Sequence, residues 1–207
     1  LRISRLLFLL EGAQLEAHGG YLCRFEDVDV AWLSHIASEA WTEDGRALDD
    51  MGLLVTVLSG PRVMRFAYDG PQTYGRSGAR WYSTHHALAR RLSSHLRETV
   101  HAYVYDPHDM EQVVSWGGGR RVGGELLRYE DVDVPDDDDE PSFDKMKSKW
   151  PLGHLAQILG VARQELVELP REQTALLTLG EPKEAGPLWR LFPQALSARP
   201  RPVLTGT

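Results

Sequence analysis

The sequence predicts an α+β protein, an antiparallel sheet with two helices on one face and a small helical region towards the C-terminal end. Three observations lead there. Two helix-period segments are interleaved with short apolar or β-branched runs; tight turns rather than long crossovers separate several of those runs; and the composition is that of a globular chain. Apolar residues make up 42% and charged residues 26% of the 207 positions, enough to bury a core without disulfides or a structural metal.

Residues 3 to 10 read as a buried strand, because the apolar run Leu6 to Leu10 is cut by Glu11 before it reaches the length of a signal sequence. Gly19-Gly20 leads into a second apolar piece, Tyr21 to Phe25. Asp27 or Asp29 then caps a helix whose apolar stripe is Trp32, Leu33, Ile36, Ala37 and Ala40, and Asp44-Gly45 ends it. Leu53 to Leu58 and the alternating run Val63 to Tyr68 flank Gly60-Pro61, a hairpin signal. After a glycine-rich loop, Ser83 or Thr84 caps a second helix with Leu88, Leu92 and Leu96 on one stripe and Arg90, Arg91 and Arg97 off it.

Val100 to Tyr105, Glu111 to Trp116 and Arg121 to Tyr129 follow as strands, the last two joined by Gly117-Gly118-Gly119. The resulting order is β-α-β-β-α-β-β-β. Trp150-Pro151 opens a helical hairpin lined by Leu152, Leu155, Ile158, Leu159, Leu166, Val167 and Leu169. The tail holds five prolines after Gly180, with Leu188, Trp189, Leu191 and Phe192 as its anchor. Three units are expected: a sheet domain over 1–134, an acidic loop and linker over 135–149, and a helical hairpin with a proline-rich tail over 150–207, packed on the sheet domain.

Charge is concentrated in one place. Residues 125 to 140 carry nine acids against one base, Arg128, so this segment accounts for the whole formal net charge of −7. Such a run repels phosphate and attracts a basic protein surface. A contact surface is expected from Trp116, Arg120 and Arg121 of the hairpin together with Asp136, Asp137, Asp138, Asp139 and Glu140. Trp and Arg are the residue types that dominate protein contacts.

Catalytic signatures are missing. There is no Gly-x-Ser-x-Gly, and the glycine-rich piece around Arg120 lacks the lysine and hydroxyl of a phosphate loop. His85 and His86 are adjacent and do not share a helix face, so no metal ligand pair is expected, and no cofactor. Cys23 is the one cysteine; it reads as a half-buried small hydrophobe and suggests a reducing, cytoplasmic setting. No window is apolar and long enough for a membrane span.

In size, acidity and lack of catalytic machinery the chain resembles bacterial immunity or antitoxin proteins. That resemblance implies a non-enzymatic protein-binding module whose acidic surface blocks a basic partner. Two other readings stay open. Residues 152 to 169 resemble a helix-turn-helix, which implies a DNA-associated adaptor with Arg163 and Gln164 at the groove. Histidines and aspartates such as His86, His101 and Asp106 could instead converge into the site of an uncharacterised enzyme.

Overall fold

A computed structural model describes residues 17–25, 29–47, 51–68, 79–132, 140–168 and 175–179. The strand expected over residues 3 to 10 and the anchor of the proline-rich tail lie outside them. In chain order the elements are β1 (His18–Arg24), α1 (Val30–Glu43), β2 (Leu53–Val57), β3 (Val63–Tyr68), α2 (Trp81–Thr84), α3 (Ala87–Leu96), β4 (Val100–Asp106), β5 (Met110–Gly117) and β6 (Arg120–Arg128). Then come α4 (Glu140–Lys147), α5 (Pro151–Leu159), α6 (Arg163–Val167) and β7 (Ala175–Leu179). The chain is α+β. Its strands form one seven-stranded sheet in the order β6-β5-β4-β1-β3-β2-β7, and each pairing is antiparallel.

Side-chain alternation divides the core into two. Tyr21, Cys23, Phe66, Tyr68, Ala102, Val104 and Val114 face α1 and α3, which contribute Leu33, Ile36, Ala37, Trp41, Leu88 and Leu92. Leu22, Val63, Tyr103, Tyr105 and Val113 point the other way, onto Leu152, Leu155, Leu159, Leu166 and Val167 of α5 and α6. The middle strands β1 and β4 are therefore buried on both faces, which is why Val100 to Asp106 shows no polar alternation.

Local chemistry explains most element boundaries. The Asp29 carboxylate accepts from the Ala31 and Trp32 N–H groups at 2.9 and 3.0 Å and starts α1. The second helix begins differently from the expectation. Ser83 and Thr84 belong to the separate short helix α2, where their hydroxyls donate to the Arg80 and Trp81 carbonyls, and α3 starts at Ala87. Its first N–H is taken by the Asp44 carboxyl, which reaches across from the end of α1. Two further elements stand where none is expected. Residues Glu140–Lys147 are helical within the segment read as loop, and Ala175–Leu179 adds a strand beside β2.

The α5–α6 hairpin is short, so its unpaired helix ends are a large share of its polar surface. The sheet satisfies them. Arg24 donates to the Ile158 and Leu159 carbonyls, His18 Nε2 to the Leu166 carbonyl at 3.0 Å, and the buried Arg65 to the carbonyls of Glu165 and Glu168. At the opposite pole, the fully buried Glu111 accepts from the Leu152 N–H, from the Tyr129 hydroxyl at 3.1 Å and from Arg163. Ser59 donates its backbone N–H and its hydroxyl to Glu165. Gly160, with φ of +72°, makes the left-handed turn between the two helices. Cations sit at helix C-termini and the anion at the N-terminus, the arrangement that helix dipoles favour.

Among the described residues, no helix is long and apolar enough to cross a membrane. The clamp also yields a prediction. Arg163→Ala would leave Glu111 buried without its cation and should lower the unfolding free energy by about 3 kcal/mol. Urea titration checks this; a loss below about 1 kcal/mol would show that the pair contributes only as much as an exposed one.

Candidate functional site

In the hairpin β5–β6, β5 is largely buried while β6 is exposed along almost its whole length. Its turn is Gly118-Gly119, with φ of +56° and +75°, and the Gly119 N–H donates to Ser93 Oγ at 3.1 Å, tying the turn to α3. Register runs evenly from Met110↔Arg128 to Ser115↔Gly123, then shifts so that Trp116 faces Arg121, which leaves Val122 as the extra residue of a bulge. Every β6 side chain but that of Leu127 is exposed, including Val122 at 62% and Leu126 at 53%. β6 borders the sheet, and among the described residues no strand lies against its outer edge.

Trp116, Arg120 and Arg121 sit together at the turn end. Trp116 is half-buried against the α1–α3 core, and its ring lies 5.6 Å from that of His86. Its indole N–H is buried and has no partner. Arg121 folds over Gly124, where a Cβ would lie 2.9 Å from its Nη2. Burial holds the His86 pKa below the usual imidazole range, and the same guanidinium adds to the shift.

Asp136, Asp137, Asp138 and Asp139 lie outside the described residues, and Glu140 enters as the first residue of α4, its side chain likewise outside them. The chain heads towards them from the far end of β6, past Glu130 and Asp131, both exposed. Nine extended residues separate the two ends of β6 by about 26 Å. A cationic tip and the approach to the anionic segment therefore stand at opposite ends of one border strand. At the second end Arg128 lies 3.9 Å from Asp109, which Arg80 also holds at 2.6 Å.

The structure also assembles a group that sequence reasoning takes only as a helix stop. One Asp44 oxygen accepts from Ala87 N–H while Oδ2 is buried without a partner, and burial, then Glu43, raises the carboxyl to about 6. Nearby, Trp81 stacks on His85 at 3.5 Å and carries Arg46 on its ring at 4.5 Å. Tyr21 donates to the His85 carbonyl at 2.7 Å. The signal available in the sequence was Asp44-Gly45 alone, because Ala87 comes from a distant element.

Arg163 is held by Glu111, Gln164 donates to Glu168 at 2.8 Å, and Leu166 and Val167 are buried, so α6 points its apolar side into the sheet. His101 accepts from or donates to Ser115 Oγ at 2.8 Å; burial and then Arg24 lower its pKa to about 4. Asp106 is buried and accepts from the His108 N–H at 3.0 Å. Among the described residues, no group of three His, Cys, Asp or Glu side chains could hold a metal ion. Cys23 is fully buried rather than half-buried, and desolvation pushes its thiol up to about 12. No protein-family model, curated protein or solved structure matches the chain.

Asp44 gives a prediction with a defined sign. Its folded pKa lies above the ordinary carboxylate value, so its ionisation opposes folding: the penalty is absent below about pH 4, grows as pH rises, and is complete above pH 6. Asp44→Asn removes the charge. Because the side chain is half-exposed, solvent reduces the effect, and the variant should gain about 1 kcal/mol over the native protein between pH 4 and pH 8. Urea unfolding at both pH values measures it, and an unchanged difference would show the carboxyl to be fully solvated.

Proposed function

We propose that this chain is a non-catalytic binding protein that recognises another protein along the β5–β6 hairpin. The observation that carries this reading is a nine-residue border strand exposed on both faces, displaying Val122 and Leu126 between a pair of arginines and an acidic continuation. Large apolar side chains on an open strand edge lower stability and invite association unless a partner uses them. Trp116 beside Arg121 supplies the aromatic and guanidinium anchors that concentrate binding energy in protein contacts.

The acidic segment sets the partner's character. Asp136 to Asp139 would meet a basic surface, as in immunity and antitoxin proteins whose carboxylates stand in for the phosphates a toxin normally binds. Arg120 and Arg121 would meet acids on the same partner. Opposite charges at the two ends fix the direction in which the partner lies, and the acidic end steers its approach.

The test begins with the protein retained by the immobilised chain from native extract, identified and repurified. Replacing Asp136 to Asp139 with asparagine should slow its association about tenfold at low salt, with a smaller change at high salt. Arg120→Glu combined with Arg121→Glu should weaken the complex about tenfold or more. Association and dissociation rates unaffected by both changes would remove the hairpin from the interface.

A further inference from the structure

Resting on that reading, we propose that the partner binds by strand addition: an extended segment pairs antiparallel with the outer edge of β6 over residues 123 to 128. Register with β5 is regular there, and the bulge at Val122 ends it towards the turn. The rest of the sheet is antiparallel throughout, so an added strand continues the same ladder.

The edge also specifies what the added segment carries. An antiparallel segment begins beside Glu130 and Asp131, just past Arg128, whose charge Asp109 offsets at 3.9 Å, and ends beside Arg120 and Arg121, so it has basic residues at its N-terminal end and acidic residues at its C-terminal end. Gly123 leaves bare backbone beside Gly124, which lies under Arg121. Gly123 has no positive φ, and a Cβ there would meet nothing within 4 Å, so the fold gives no steric reason for glycine at this position. Bare glycines on a border strand are covered by aromatic side chains from the neighbouring strand. The occupant is therefore an extended segment, basic then aromatic then acidic.

A second copy of this chain fits poorly. The symmetric register that sets Val122 opposite Leu126 also sets Arg120 opposite Arg128, a like-charge pair at both ends. The bulge and these arginines act against self-pairing in the way natural border strands are protected.

A synthetic ten-residue peptide tests the idea: two lysines, six residues alternating threonine with tyrosine, then two glutamates. Added to the full chain, it should slow amide hydrogen exchange at alternate residues between Gly123 and Arg128. The same composition in reverse order should bind about tenfold more weakly. Arg120→Glu with Arg121→Glu changes only exposed side chains, leaves the fold intact and should remove that preference. Binding without slowed exchange in β6, no binding at millimolar peptide, or concentration-dependent dimers that protect β6 by themselves would each overturn strand addition. If exchange in β6 is unchanged on binding the repurified native partner while the arginine variant still loses it, the hairpin contact stands and strand addition fails.

Discussion

The fold depends on satisfying the ends of two short helices. A nine-residue and a five-residue helix are too short to persist alone, and their unpaired carbonyls and N–H groups would be costly against a sheet. The sheet answers with polar side chains aimed at those ends: the buried His18 and Arg65 and the exposed Arg24 on the carbonyls, the buried Glu111 on the N–H and on Arg163. These contacts join residues more than 40 positions apart in sequence, so they fix the hairpin's place rather than merely its helicity. Burial of Leu152, Leu155, Leu159 and Leu166 then supplies the driving force, about 2 kcal/mol for each leucine. With both faces covered in this way, the strand that stays exposed among the described residues is β6, at the border of the sheet.

Much of this was legible locally. The Asp29 cap, the stripe of α1, the two-strand hairpin at Gly60-Pro61, the glycine turn of β5–β6 and the break at Gly160 each rest on neighbours within a few residues, and all are present. What failed required distant partners. Ser83 and Thr84 have the right chemistry for a cap, yet Asp44 takes the first N–H of α3 because α1 ends beside it. Ala175–Leu179 is a strand only because β2 offers it an edge. Glu111 looks like the outward residue of an alternating strand and is in fact fully buried, since the face it occupies is the one covered by α5. Arg163 has the appearance of a groove-contacting arginine for the same reason: its carboxylate partner lies 52 residues earlier.

The candidate site divides along the same line. Trp116, Arg120 and Arg121 are close in sequence and close in space, because one turn joins them. Glu130 and Asp131 follow β6 in sequence by only a few residues, but strand geometry puts them and the arginines at opposite ends. A charge map drawn from sequence alone merges what an extended backbone holds apart.

That separation decides how the charges act. At physiological salt, interactions fade over about 8 Å, while the two ends of β6 are about 26 Å apart. The arginine pair and the acidic end therefore do not neutralise each other, and neither weakens the other's contact with a partner. A small acidic or basic ligand can engage one end only, whereas an extended segment carrying both signs gains from each independently. Reversing such a segment converts both gains into repulsions, so discrimination between the two orientations exceeds the strength of either contact alone. In the proposed complex Val122 and Leu126 would serve both orientations alike and supply affinity without direction; the charges would supply direction, and the border position of β6 would let the two be used together.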